Sequence, residues 1–162
     1  MNYHNFAQKT NFIGGSEKFE DMVFYMTSVN IPGITFNLPE IGGRYSTKAF
    51  LASDKITYNN LNFEFLIDED FSLYKDLMKN ITNSYNPEEG TFKSEEFTFW
   101  LQINNNKGNK VMSFEFYNCR IENLGDINLN TQDDSTEHTM TLDIKYDYYK
   151  IVENPDMSFA QA

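Results

Sequence analysis

Few residues in this chain of 162 are of a type and spacing that could do chemistry. The histidines are His4 and His138, and the single cysteine is Cys119. No Cys/His spacing suits a zinc site, and a lone cysteine has no internal disulfide partner. Asp68-Glu69-Asp70 opens like a calcium loop, but Leu73 stands at the sixth position, where the sharp turn requires glycine. Helix capping is the better account, because a helix N-terminus leaves backbone donors unpaired and favours negative charge. Glu88-Glu89 and Glu95-Glu96 resemble the acid pairs of glycoside chemistry, yet adjacent carboxylates in a polar stretch read as surface. Gly14-Gly15 and Gly42-Gly43 lack the remainder of any phosphate-cradling motif and read as loops. Asn80-Ile81-Thr82 matches a glycosylation acceptor but falls inside a helical pattern. Cys119 lies in an apparent strand and reads as a packed thiol; Arg44 and Arg120 are candidate interface anchors. The reading is therefore no catalytic residue, no metal, no cofactor and no enzyme. Function is expected in assembly.

The elements that would position these residues are mostly strands. Leu61, Phe63, Phe65 and Ile67 alternate with Asn62, Glu64 and Leu66, the period of a strand with one buried face. Behind the acidic cap, Phe71, Tyr74, Met78 and Ile81 recur at helical spacing with Leu73 and Leu77, predicting one helix over about residues 69–82. A first strand is expected over Phe19–Val29, ended by Ile31-Pro32-Gly33, with a short strand at Ile34–Leu38 and a hairpin-like excursion over Arg44–Asp54. Residues 83–96 read as an exposed loop. Phe97–Asn104 and a partner carrying Met112, Phe114 and Phe116 form the clearest hairpin. Ile121–Leu129 reads as a weaker strand interrupted at Gly125-Asp126. Glu137–Tyr149 reads as one long final strand, with Met140, Leu142, Ile144, Tyr146 and Tyr148 inward and Tyr149 outward. At about 3.3 Å per residue it would reach roughly 40 Å. Phe63, Phe65, Tyr74, Met78, Phe99, Phe114 and Leu142 are expected to share one core. The expected organisation is an extended arm over 1–18, a single domain over 19–151 and a tail over 152–162.

With 15 Phe and 10 Tyr the chain favours pleated surfaces, and its length suits one domain. The formal net charge of −11 forfeits the counterion-release term that drives phosphate binding, so nucleic acid is repelled. No apolar run approaches a membrane span and no signal-peptide profile is seen, so a membrane partner is not expected and a reducing cytoplasm is the default compartment of synthesis.

The strand leading to Ile31-Pro32-Gly33-Ile34, the Asp54-Lys55-Ile56-Thr57-Tyr58 lead-in, the Leu61–Ile81 strand–helix unit and the closing Thr139–Tyr149 strand together resemble the tail tube proteins of contractile-tailed (myovirus) bacteriophages. The resemblance covers about Phe19–Ile151 and extends in fold to the tube proteins of type VI secretion. It implies a mainly β fold, a two-sheet β-sandwich or barrel with one flanking helix. It also implies a virion protein made in the host cytoplasm. Copies would form hexameric rings that stack into a tube beside sheath and baseplate proteins, with DNA passing through the lumen unbound. Tube initiators and tail terminators share that implied fold. Six copies at −11 each place −66 on a ring, a field suited to a wall that must not hold DNA. Thr139, Thr141, Asp143, Lys145 and Asp147, on the polar side of the last strand, are the candidate lumen face. Phe6, Phe12, Ile13, Tyr45, Phe50 and Leu51 are apolar on segments with no evident place in a monomer core, and are the candidate subunit interface. A reading of a different class is a carbohydrate-binding β-sandwich, with Trp100, Tyr85 or Tyr117 stacking on sugars.

Overall fold

Alternation of apolar and polar residues forces a strand to find a layer for its apolar face, and the arrangement of such layers is the fold. The computed structural model describes residues 7, 9–132 and 137–152. The chain begins with strand β1 (Phe12–Gly15), a one-turn helix α1 (Met22–Tyr25) and β2 (Met26–Val29). Four short strands follow: β3 (Ile34–Asn37), β4 (Glu40–Gly42), β5 (Lys48–Phe50) and β6 (Lys55–Tyr58). Next come β7 (Leu61–Leu66), helix α2 (Ser72–Ser84) and a small hairpin of β8 (Tyr85–Asn86) and β9 (Thr91–Phe92). The last strands are β10 (Phe97–Asn104), β11 (Lys110–Leu124), β12 (Thr139–Lys145) and β13 (Tyr148–Val152).

The long strand β11 organises the body. Its first half pairs with β10 on one side and β13 on the other; its second half pairs with β12, which pairs with β7, which pairs with β2. All these pairs are antiparallel, and β1 completes one edge by pairing with β10. Two sheets, β1–β10–β11–β13 and β11–β12–β7–β2, therefore share β11 and fold over a common core. Their inner faces meet as Phe63 against Phe99, edge to face at 4.7 Å, with Phe116 beside Phe99. Phe65, Leu77, Leu101, Leu142 and Ile144 fill the space between, all essentially without exposure. The expected mainly β, two-sheet fold with one flanking helix is the one observed.

The corner between the sheets sits at Asn118, whose φ of 54° is left-handed and whose side chain donates to Asp147 Oδ2 at 2.8 Å. Strands that change sheets do so through such local kinks. This kink corrects the expected unbroken final strand. Glu137–Tyr149 divides at Tyr146-Asp147 into β12 and β13. The phase slips by one residue there: Tyr149 packs inward on Phe116, while Tyr148 turns outward against Tyr117. A straight strand of that length would run past the core, whereas a bent one keeps both halves covered. The longest strand described is β11, 15 residues, which runs on through Ile121–Leu124, where a separate weaker strand over Ile121–Leu129 was expected.

Other boundaries moved for local reasons. Phe19–Val29 is not one strand; Met22–Tyr25 makes a helical turn that buries Met22 before β2 starts. Phe12–Gly15, inside the expected arm, pairs with β10 as an edge strand. Gly14-Gly15 is thus strand, not loop, because the packing admits no side chain: a Cβ on Gly15 would lie 2.5 Å from Val23 Cγ2. The helix starts at Ser72, three residues later than expected. Asp68 accepts from the Ser72 amide at 2.9 Å and from its hydroxyl at 2.7 Å, while Phe71 sits in left-handed geometry at φ 54°. Leu73, Leu77 and Asn80 face the core; Tyr74 packs at its margin and Met78 is exposed, so Met78 does not join the expected core. The expected loop over 83–96 carries the β8–β9 turn, closed by Gly90 at φ 65°.

Candidate functional site

Two features of the folded chain face outward without cover: a protruding hairpin and the edges of the first sheet. The hairpin follows from sequence alternation with no second layer. Ile34 pairs with Tyr58, Thr35 with Thr57, Phe36 with Ile56 and Asn37 with Lys55. Directly opposed residues share a face, so one face carries Ile34, Phe36, Ile56 and Tyr58 and the other is polar. The outer half continues as β4 with β5, and neither pair joins the large sheet. Phe36 is 59% exposed and Phe50 60%, values a core phenylalanine never shows. At the tip, Tyr45 and Ser46 hold left-handed backbone (φ 60° and 64°) and Tyr45 is fully displayed. Non-glycine residues in that region cost energy, which a contact surface can justify. The root is fixed: the Asn59 amide donates to the Gly33 carbonyl at 3.0 Å, and the Tyr58 ring meets those of Tyr146 and Tyr149 at 5.8 and 5.5 Å.

Of the residues expected at a subunit interface, Tyr45, Phe50 and Leu51 lie together on this hairpin. Phe12 and Ile13 lie on β1, Phe12 half-buried toward the core and Ile13 exposed on the opposite face. Phe6 lies outside the described residues. Sequence reading missed Ile34, Phe36, Ile41 and Ile56; the available signal was the pair of alternating runs flanking the tip, with no core partner of their own.

Of the residues expected to line a lumen, four come together. Thr139, Thr141, Asp143 and Lys145 point outward from β12 beside Asn62 and Glu64 of β7. Lys145 is paired with Glu122 at 3.1 Å, which removes the isolated cation from that face. Asp147 is not with them. It sits beyond the kink, held by Asn118 and facing Arg120 at 3.7 Å.

The outward face of β1–β10–β11–β13 is the other candidate wall. It carries Trp100 opposite Glu115 and Glu115 opposite Lys150. A hollow of ≈ 810 Å³ there is lined by Lys18, Trp100, Lys110 and Glu115 among others. Tyr117 donates to Glu115 Oε2 at 2.6 Å, which raises its pKa, and stacks on Tyr148 at 4.8 Å with the Lys150 ammonium 5.7 Å away. The aromatics considered for sugar stacking are separated: Trp100 lines the hollow, Tyr117 is taken up by Tyr148, and Tyr85 lies on β8 against Phe92. Among the described residues, the far edges of β1 and β13 have no strand beside them.

A further group of charged residues ties the body together. Arg120 binds Glu96 and donates to Ser94 at 3.1 Å, and Glu95 takes Lys18 and Lys93 at 3.1 and 3.2 Å. These donors hold both carboxyls below the usual range. Arg120 is thus an internal tie; Arg44, at the hairpin tip, remains outward. Burial pushes the Cys119 thiol up to about 12, leaving it inert. Among the described residues no cluster of His, Cys, Asp or Glu is arranged to hold a metal, and no helix is long and apolar enough to cross a membrane.

No protein-family model and no curated protein matches the sequence. Solved structures do. A chain of the anti-feeding prophage cap, a tube-terminating cap, is similar at 12% identity with a TM-score of 0.72, covering 93% of each chain. A chain of the PVC sheath–tube complex of an extracellular contractile injection system matches at 12% identity and 0.68, covering 90% of each. A chain of the anti-feeding prophage baseplate, six-fold symmetrised, matches at 10% and 0.61, covering 94% of this chain and 97% of that one. The chain therefore has the fold found in the tube-terminating cap, sheath–tube and baseplate assemblies of contractile injection systems.

Proposed function

We propose that this protein is a structural subunit of the tube in a phage-like contractile injection particle. Copies form six-membered rings that stack into a hollow conduit, with sheath and baseplate proteins as neighbours and DNA as the passing cargo. A tube initiator or terminator built from the same fold is the alternative place for it. The observation that carries the proposal is end-to-end likeness to such parts, 93% of both chains at a TM-score of 0.72, in a protein that leaves a long apolar hairpin uncovered. Electron microscopy of the purified protein tests it. Rings or tubes are expected, and monodisperse monomers across a wide concentration range would overturn it.

The subunit interface proposed from the sequence (Phe6, Phe12, Ile13, Tyr45, Phe50 and Leu51) falls on the N-terminal segment and the hairpin. Two faces compete for the lumen. The polar face of β12, with Thr139, Thr141, Asp143 and Lys145, offers small and acidic side chains. The outward face of β1–β10–β11–β13 has the advantage that both its edges are open. Its strands run alternately, so β13 of one copy would meet β1 of the next antiparallel, as a continuous barrel needs. Charge reversal separates the two. Asp143→Lys and Glu115→Lys tubes should differ in salt-dependent retention of DNA, because only a wall cation gains phosphate contacts with counterion release. The variant that retains DNA at low salt marks the wall.

A further inference from the structure

The two sheets do not close on each other between β1 and β2. An apolar groove of ≈ 400 Å³ lies in that seam, lined by Phe12, Val29, Ile31, Leu101 and Ile103, with Lys9 at its rim. It is the mouth of the core, because Leu101 at its floor is fully buried. Elsewhere on the same molecule stands the hairpin, whose apolar face offers Ile34 (44% exposed), Phe36 (59%) and Ile56 (42%). An apolar groove and an apolar ridge on one chain make a head-to-tail contact, which closes into a ring or extends into a filament.

Charge says what the ridge can approach. Between Ile34 and Tyr58 the chain carries Arg44, Lys48 and Lys55 against Glu40 and Asp54, a net +1, so the remainder holds −12 of the total −11. Two such bodies repel each other, whereas the hairpin, at net +1, approaches an acidic body without that repulsion. A second copy of this chain supplies both the apolar groove and a body of net −12 around it. A partner of unrelated charge would need only the apolar surface.

We propose that the Phe36–Ile56 face of the hairpin of one copy seats over the β1–β2 seam of another, capping its core. This rests on the self-assembly reading above and adds the address of the hairpin. The hairpin is the ridge, Leu101 and Ile103 are the floor, and exposed Lys9 marks the rim.

The test uses the full chain with single cysteines, Phe36→Cys in one preparation and Lys9→Cys in another, and a short bis-maleimide linker. Native Cys119 is buried and does not compete. Mixed subunits, co-assembled and treated, should give a cross-linked dimer that neither preparation gives alone. Rings that form without that dimer would overturn the address while leaving the ring reading intact. The dimer without rings would keep the address and remove the ring reading. Monomers with neither would remove both. A double variant cross-linking within one chain at high dilution would mean that the hairpin folds onto its own seam, which also overturns the proposal. Ile56→Asp, at an exposed position, gives an independent arm: an unchanged melting temperature with at least a tenfold higher concentration needed for assembly is expected, and unimpaired assembly refutes it.

Discussion

Strands β7 and β3 are written in the same pattern and have opposite fates. In β7, Leu61, Phe63 and Phe65 alternate with polar residues and are 0, 3 and 1% exposed; in β3, Ile34 and Phe36 do the same at 44 and 59%. The difference lies in the neighbours. β7 sits between β12 and β2 with a second sheet over its inner face, whereas β3 has only β6. Alternation declares that a face wants cover; it does not say whether the same chain or another provides it. Burying a large apolar side chain is worth about 1.5–3 kcal/mol. In the body that term holds the monomer together, and in the hairpin it remains available for association.

Truncating one phenylalanine in each strand should give the largest difference. Phe65→Ala should cost about 3–5 kcal/mol, a large part of a typical stability of roughly 5–15. Phe36→Ala should stay within about 0.5 kcal/mol in the isolated subunit, as exposed positions do. Thermal or denaturant melts of both variants under conditions that keep the chain monomeric decide it; equal losses would mean that the hairpin is part of the core.

Glycines extend the contrast at a smaller scale. A methyl on Gly15 would meet Val23 Cγ2 at 2.5 Å and Trp100 at 3.3 Å, while one on Gly42 meets nothing within 4 Å. Gly15→Ala should destabilise by about 1–3 kcal/mol through overpacking of the edge strand, and Gly42→Ala should leave the melt in place. A neutral Gly15→Ala would show that β1 moves away without cost.

Acid acts on the body through identified carboxyls. Asp68 is held low by the Ser72 hydroxyl and amide, Glu95 by Lys18 and Lys93, and Glu96 by Arg120 and Ser94. A lowered folded pKa means a contribution fully present above the ordinary carboxylate range and lost as pH falls through the lower folded values. The melting temperature should therefore decline as pH falls below about 5, through the ordinary carboxylate range and on into the lowered folded values. Glu96→Gln should flatten part of that decline, and an unchanged profile would remove the Arg120 tie from the account. The smallest expected effect is Asp68→Ala, which removes the helix cap and should lower the melting temperature slightly, with helix fraying detectable by hydrogen exchange. No change in protection at Ser72–Lys75 would show that the backbone turn alone starts the helix.

The hairpin of β10 and β11, the strand β7 and the helix behind Asp68 were legible because each is local: period two, period 3.6, and a carboxylate ahead of unpaired amides. The kink at Asn118 was not. Asn118 and Asp147 are 29 residues apart, and the bend exists because the two meet. The phase slip that turns Tyr149 inward and Tyr148 outward has the same cause. Gly14-Gly15 looked like a loop because glycine pairs usually are one; only the proximity of Val23 and Trp100 makes their missing side chains a packing requirement. Asp147 left the expected lumen face for the same reason that the strand broke.

Read residue by residue, the chain already carries a β-rich pattern, an amphipathic helix, a net acidic charge and a candidate set of uncovered apolar residues. Those follow from composition and short-range periodicity, which act residue by residue along the chain. That β11 joins two sheets, that the groove opens between β1 and β2, and that the hairpin from Ile34 to Tyr58 stands clear of the body is legible only in the folded chain. Each of these depends on which distant strands hydrogen-bond and which faces meet, and alternation alone is equally satisfied by a layer from within the chain or by one from its neighbour.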